Sequence, residues 1–458
     1  MFTLHRLATS LDLVLAPVTA ASRGESPGLC VALSGGLDST VLLVALAQLA
    51  KAGSLAARLR AVHVDHSLHA DSAQWARACR ELADSHGVAC DEVRVTVNLD
   101  AGQSPEAAAR KARYTALAAR LEPGEVLLTA HHADDQLETI LLQWLRGGGL
   151  RAVAGMPSIA RFEPGWHVRP LLGFGRGELH AWARESGLEW LEDPSNADPR
   201  FDRNYLRLDV LPAIRRRWPA AARTVGRVAA QAAEALDVEQ ALAAADLEVV
   251  RDGSALSLER LLGLPAARQR WALRAWLREL GLPVPAAATL AALLHDVSAA
   301  AADRVPCVNW PGARVHRYRG RLFADAGDTP PDVREGVWPA DRPYDLGASS
   351  RLELRASQGI GLSRARLPGE LSVALRTEGE TFRPAGASHR RPMRKWLQER
   401  GVLPWQRGRL PLVMAGGEVV AIGDLAYGGG LVAAPGEPSW MIAWIGRPVI
   451  TESEAIGR

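Results

Sequence analysis

An apolar run that stops at a pair of glycines constrains this chain more than any other feature. Cys30-Val31-Ala32-Leu33 leads into Ser34-Gly35-Gly36-Leu37-Asp38-Ser39, and a second apolar run with Leu42, Leu43, Leu46 and Leu49 follows at once. The order predicts strand, tight loop, helix. Adjacent glycines let the backbone approach an anion closely, with the amides of the loop and first helical turn facing it. Ser34 and Ser39 add hydroxyl donors, and Asp38 can face an ammonium or a phosphate-bound Mg2+. An ordinary strand–helix turn without a ligand is the plainer reading. The turn does not end in Gly-Lys-Ser/Thr, so it is not the common P-loop, and it lacks the third glycine of a dinucleotide fingerprint.

At 458 residues, the chain is long enough for roughly three domains of about 150 residues each. An apolar fraction of 48% and a charged fraction of 23% are those of a globular protein. The formal net charge of +3 permits RNA binding without demonstrating it. The four cysteines, Cys30, Cys79, Cys90 and Cys307, form no close Cys-x-x-Cys pair, which argues against a zinc finger or a disulfide scaffold. No apolar run reaches membrane-spanning length and no clear signal peptide opens the chain. The expectation is a cytoplasmic protein with no membrane partner.

Strand and helix patterns alternate from there. Arg60 to Val64 reads as a strand, Ser72 to Ser85 as a helix and Val88 to Val97 as a strand. Ser104-Pro105-Glu106 opens a helix, with Ser104 as its cap. Val126 to Ala130 reads as a strand, and about Asp134 to Arg146 as a helix. This predicts a parallel, layered α/β domain whose ligands bind beyond the carboxyl ends of the strands. The polar clusters fall at those ends. His63, Asp65 and His66 leave the second strand, as capping residues, a metal pair, or neighbours of a nucleotide ribose or base. Glu106, Arg110 and Arg113 share a helix face beside Tyr114, as a surface ion pair or as a basic face for phosphate or RNA. Asp134, Asp135 and Glu138 follow His131-His132 at a helix start. Three carboxylates so close repel one another without a cation, which points to Mg2+, a substrate ammonium, or both. Acidic capping of the helix is the plainer reading.

Ser-Gly-Gly-x-Asp-Ser after a strand resembles the pyrophosphate-releasing loop of the N-type ATP pyrophosphatases. His131-His132-x-Asp134-Asp135-Gln136-x-Glu138-Thr139, Arg146-Gly147-Gly148-Gly149, Gly155-Met156, Arg169-Pro170-Leu171-Leu172, Trp190-Leu191-Glu192-Asp193-Pro194-Ser195-Asn196 and Arg203-Asn204-Tyr205-Leu206-Arg207 narrow this. In order and spacing they resemble the tRNA(Ile)-lysidine synthase family. The resemblance implies an adenine nucleotide alpha hydrolase-like (HUP) fold. It also implies ATP-dependent adenylation of the wobble cytidine of tRNA(Ile) with a CAU anticodon, then attack by free L-lysine. On that basis Ser34, Gly35, Gly36, Leu37, Asp38, Ser39, His63 and Asp65 bind nucleotide. Asp38, Asp134, Asp135, Glu138 and Arg110 carry catalysis, with Asp38 and Asp135 as Mg2+ contacts. Arg113, Arg203, Arg207, Arg390, Arg391, Arg394 and Lys395 contact tRNA. The sequence departs from the family pattern at His69, where arginine is usual, and at Arg394-Lys395, where two lysines are usual. The related tRNA thiolases normally carry Cys-x-x-Cys pairs, which are missing here.

Residues 213–300 are Ala-rich and helical in pattern, Val305 to Phe323 and Leu352 to Leu375 alternate like strands, and the Pro-rich stretch Asp328 to Asp345 reads as a loop or joint. A basic stretch with His389-Arg390-Arg391 and Arg394-Lys395-Trp396 lies in the last part and could grip tRNA through phosphates. The division is a catalytic α/β domain at 1–215, a mainly helical linker or substrate-binding domain at 216–345, and a small α+β domain for tRNA at 346–458. A homodimer is compatible with the sequence. A tRNA thiolase and a non-catalytic RNA-binding protein are the alternatives.

Overall fold

The computed structural model describes the chain apart from residues 22–25, 66–70, 97–104, 193, 195–197, 302–303, 327–332, 348–349, 378 and 457–458, and apart from the side chains of 105–107 and 455–456. His66, His69, Ser104, Asp193, Ser195, Asn196 and the Glu106 side chain therefore lie outside the described residues. Two compact units form, Met1–Val238 and Glu239–Arg458.

The first unit alternates as its sequence predicts. Helix α1 (Leu4–Ala21) precedes β1 (Leu29–Ala32) and α2 (Leu37–Lys51), then β2 (Leu59–Asp65), α3 (Ser72–Ser85), β3 (Ala89–Arg94), α4 (Pro105–Arg120), β4 (Val126–Leu128) and α5 (Ala133–Leu145). A short α6 (Leu150–Ala154), the hairpin β5 (Ile159–Phe162) and β6 (Gly165–Val168), and α7 (Arg176–Glu185) follow. The sheet order is β3-β2-β1-β4-β6-β5, parallel except for the edge strand β5. After β1 the chain adds strands on one side, then returns to place β4 on the other. The crevice beyond β1 and β4 is therefore the topological switch point, where such sheets take ligands.

Helix α2 is apolar on all sides and buried from Val41 to Leu46 without a break. It packs on the sheet and against α1 and α7, with Leu42, Leu43 and Leu46 fully enclosed. Burying each such leucine contributes about 1.5–3 kcal/mol. At the opposite, amino-terminal edge of the sheet, Arg60 forks onto Glu125, with Nε donating to Oε1 at 2.7 Å and Nη2 to Oε2 at 2.5 Å. Their side chains are 7% and 5% exposed, so the charges are taken from water together.

Beyond α7, Asp202–Arg217 forms one continuous helical stretch. It comprises α8 (Asp202–Tyr205), a π-helical turn at Leu206–Val210, and α9 (Leu211–Arg217). A 30-residue helix, α10 (Ala221–Val250), leaves this unit.

The second unit contains helices Ala266–Glu279 and Ala287–Ala299 and a five-stranded antiparallel sheet, joined by a core of Trp276, Leu273, Leu290, Leu293, Val315 and Leu322. Among the described residues, the region after 332 forms three further antiparallel sheets, of five, four and two strands, with a core that includes Trp338, Phe382, Trp396 and Leu412. The Pro-rich stretch expected as a loop or joint, Asp328 to Asp345, contains one strand, Gly336–Pro339, and the start of a second, Tyr344–Gly347. The correction has a physical cause: Trp338 is fully buried and fixes the first strand, while Pro339 falls at its end, where a missing N–H is tolerated.

Candidate active site

Backbone geometry first shapes the loop after β1. Gly35 has φ +80°, and a Cβ there would sit 2.6 Å from Leu191 Cδ1 and 2.9 Å from Cys79 Sγ. Only glycine fits. The Leu191 amide donates to the Gly35 carbonyl at 2.9 Å, so the Trp190-Leu191 segment braces the loop. Ser34 Oγ and Ser39 Oγ lie 3.0 Å apart, and Ser39 Oγ also accepts from the Ser34 amide at 3.2 Å. Gly36 caps α2 without a side-chain bond, which leaves the amides of the first helical turn for an anion. The next strand supports the same loop: His63 donates from Nδ1 to the Leu33 carbonyl at 2.9 Å. Asp65, also buried, faces Arg94 at 3.7 Å.

Opposite the loop stands the start of α5. His132, 1% exposed, accepts at Nδ1 from the Asp135 amide at 3.2 Å, while the His132 amide donates to Asp135 Oδ2 at 3.0 Å. This is a reciprocal cap. The same ring turns Nε2 to Asp38 Oδ2 at 3.5 Å. One imidazole thus spans the phosphate-type loop and the acidic helix. Burial opposes its charge, but Asp38, Asp135 and Asp134 outweigh that and raise its pKa. The other Asp38 oxygen, Oδ1, is buried with no partner among the described residues. An orphaned carboxylate oxygen there fits a metal ion or another donor.

The mutual repulsion expected of Asp134, Asp135 and Glu138 is relieved by arginines far along the chain. Arg203 donates to Glu138 Oε2 at 2.8 Å and to Asp135 Oδ1 at 2.9 Å. Arg207 forks onto both oxygens of Glu138 at 2.8 Å. Arg215 reaches Asp134 Oδ1 at 2.7 Å, and the Arg176 amide reaches Oδ2 at 2.7 Å. Burial works against the Glu138 charge, and Arg207 and Arg203 outweigh it and hold its pKa below the usual value. Arg203 and Arg207, read from sequence as tRNA contacts, are therefore engaged with the acidic pair here. The Asp135 oxygens are both taken, unlike Asp38 Oδ1.

Gln136 clasps the backbone of Met156, donating from Nε2 to its carbonyl at 2.9 Å and accepting its amide at 2.8 Å, which accounts for the Gly155-Met156 motif. Arg110 is exposed on α4 with its guanidinium 5.0 Å from the centre of the Tyr114 ring. Arg113 is exposed on the same helix. In the second unit Arg390 pairs with Glu418 at 3.1 Å and Arg391 with Glu399 at 2.7 Å. Arg394 and Lys395 are exposed, with no ion-pair partner among the described residues.

Sequence reasoning gave no role to His131, His132, Arg169, Arg176 or Arg215. The two histidines had a signal, since they adjoin the acidic triplet. Arg169 had one as well, in the Arg169-Pro170-Leu171-Leu172 motif, whereas Arg176 and Arg215 had none, because their partners are set by tertiary folding. Arg176 and Arg215 also line a cavity of about 600 Å³ with Leu37, Ala133, His180 and Trp190, where the amino ends of α2, α5 and α7 meet.

Comparison with known proteins agrees with this geometry. A PP-loop domain profile matches residues 6–214, a TilS substrate binding domain profile 256–323, and a TilS substrate C-terminal domain profile 371–444. The tRNA(Ile)-lysidine synthase of Alkalilimnicola ehrlichii is 43% identical over 435 residues, covering 92% of this chain and 96% of that one. The chain belongs to the tRNA(Ile)-lysidine synthase family. The family members from Pseudomonas aeruginosa and Ralstonia nicotianae are 41% and 40% identical, again over 92% of this chain and 94% and 93% of their own. Membership of the lysidine synthase family explains why the glycine loop and the acidic helix, 95 or more residues apart in sequence, share a cleft.

Proposed function

We propose that this chain is an ATP-dependent ligase that joins free L-lysine to C2 of the wobble cytidine, position 34, of tRNA(Ile) with a CAU anticodon. ATP use follows from the PP-loop match, and a tRNA substrate from the family. The observation that carries the reading is the single ring of His132 touching Asp38 of the glycine loop and Asp135 of the acidic helix. A triphosphate and an ammonium can then be held side by side.

In the first step the C2 oxygen of cytidine bonds to the α-phosphorus as the bond to the β-phosphate breaks, and the electron pair leaves on pyrophosphate. Ser34, Gly35, Gly36, Leu37 and Ser39 hold that pyrophosphate, with His63 and Asp65 on the nucleotide side. Bound Mg2+ would neutralise charge on the phosphates, and Asp38, with its orphaned Oδ1, is the residue to hold it. Asp135 serves as a metal contact only once Arg203 has left it. In the second step the lysine nitrogen bonds to C2 as the C2–O bond breaks with its electron pair leaving on AMP, and the protons shed by the nitrogen pass to a nearby carboxylate or to solvent. Asp134, Asp135 and Glu138 suit an ammonium once it displaces a guanidinium that now stands against them. Arg110 faces the nucleotide or RNA. Arg113, Arg390, Arg391, Arg394 and Lys395 offer phosphate contacts, and Arg203 and Arg207 can join them when displaced.

We read the chain as three parts, 1–215, 216–345 and 346–458, acting in the cytoplasm. No described helix is long and apolar enough to cross a membrane. The test is incorporation of radiolabelled lysine into cognate tRNA with ATP, alongside pyrophosphate release. Incorporation that requires both ATP and the CAU-bearing tRNA supports the reading; no incorporation by the folded protein rejects it. The thiolase alternative draws no support, since the cysteines at 30, 79, 90 and 307 are dispersed and none pairs.

A further inference from the structure

Behind His131 runs a chain of hydrogen bonds whose direction is fixed at one end. Arg169, 8% exposed, is held by Nη1 donating to the Pro157 carbonyl at 2.7 Å. Its Nη2 lies 3.2 Å from His167 Nδ1. A guanidinium only donates, so His167 Nδ1 accepts and the ring carries its proton on Nε2. That Nε2–H points at Thr129 Oγ1, 2.8 Å away, and must donate to it. The Thr129 hydroxyl has no other acceptor among the described residues, so its hydrogen goes to His131 Nδ1, also at 2.8 Å. His131 is left with its proton on Nε2, on the side of the ring away from Thr129.

We propose that Arg169, acting through His167 and Thr129, locks His131 as a hydrogen-bond donor at Nε2 toward a phosphate oxygen in the cleft. His131 is then excluded as the general base. The inference rests on the lysidine-forming reading above. Reversing the relay would bring a His167 Nδ1–H against an Arg169 N–H, so the buried, permanently charged arginine prevents it. His131 is half-buried between the carboxyl end of β4 and the amino end of α5, where parallel sheets take anions, and Arg110 and Arg203 add positive charge there. Burial, then Arg169 and Arg110, push His167 down to about 3, and burial with the same arginines carries His131 well below its usual value. Both rings stay neutral at neutral pH, as the relay requires. The chemistry agrees: the C2 oxygen of cytidine carries no proton, so adenylation needs donors aimed at developing charge and no base. Arg169, His167 and Thr129 are positioning residues.

The test is a ring-nitrogen NMR spectrum of the full-length protein labelled with 15N-histidine, the His131 signal being assigned with His131→Gln. Wild-type His131 should show the Nε2–H tautomer alone. Arg169→Met should mix the tautomers and slow tRNA-dependent pyrophosphate release by about 10- to 100-fold, with the KM for lysine unchanged. Thr129→Val keeps the shape and should do the same, so it carries the test if Arg169→Met does not fold. An Nδ1–H tautomer in the wild type overturns the proposal, as does a pure Nε2–H tautomer in both variants. Mixed tautomers with an undiminished rate overturn it too. The spectrum needs no substrate, so it stands apart from any failure to incorporate lysine.

Discussion

Gly35 shows how much of the site one backbone angle decides. With φ +80° and Leu191 and Cys79 within 3 Å of a missing Cβ, Gly35→Ala is both strained and crowded. Pyrophosphate release should fall by at least about 100-fold, a loss of roughly 2.7 kcal/mol in transition-state stabilisation, while tRNA affinity measured by filter binding changes little. Equal release by the variant would mean that the loop does not hold the leaving group. Glu138→Gln removes the carboxylate that Arg207 forks onto and leaves Asp135 alone to face Arg203 and Arg207. It should destabilise the fold by about 3 kcal/mol in denaturant titration and raise the KM for lysine. An unchanged KM would remove Glu138 from the lysine site. At this scale the sequence showed the need but not its answer. Three acids at one helix start must meet positive charge, and that was legible in Asp134, Asp135 and Glu138. That Arg203, Arg207 and Arg215, 65 to 81 residues away, supply it depends on folding. The roles of His131 and His132 were hidden for the same reason, because a ring's tautomer is written by its neighbours.

Strands and helices were the most legible level, and their edges the least. Alternating apolar patterns marked β2 and α3 closely, since Leu59–Asp65 must fill both faces of a buried sheet and Ser72–Ser85 has one apolar stripe. The strand at Gly336–Pro339 went unread because prolines nearby outweighed one tryptophan in the local pattern, whereas in the folded chain the burial of Trp338 decides. Also invisible was the fork of Arg60 on Glu125, which ties β2 to the start of β4 across β1. Breaking it from one side should be costly: Glu125→Gln is expected to lower stability by about 3 kcal/mol, read as a shift in the urea midpoint. A shift below about 1 kcal/mol would place the pair among ordinary surface bridges.

At the scale of the whole molecule, pH and surface charge act on the second unit by separate routes. In the second unit His316 is buried and stacked on Trp405 at 4.0 Å, and burial with Arg314 and Arg409 pushes it down from 6.5 to about 4. Above 6.5 neither state takes a proton there. Below it the unfolded chain does and the folded chain refuses until about 4, so stability is lost across that window on acidification. The slope is up to about 1.4 kcal/mol per pH unit. His316→Phe should flatten this loss between pH 6.5 and about 4 in urea titrations; an unchanged slope would assign it to other groups. Arg394 and Lys395, exposed and unpaired among the described residues, should act on tRNA instead. Replacing both with alanine is expected to weaken binding and reduce the slope of log affinity against log salt by about 2. An unaltered slope would take that surface out of the contact. The π-helical turn at Leu206–Val210 has its own bearing on the whole. It holds one residue more than an ordinary helical turn: tightening to ordinary helix with every residue kept would rotate all that follows by about 100°, carrying Arg215 away from Asp134. Loss of one residue here should close the turn and leave Arg215 in place, whereas the Arg207 side chain, which lies within the stretch, should not be exchanged without loosening Glu138.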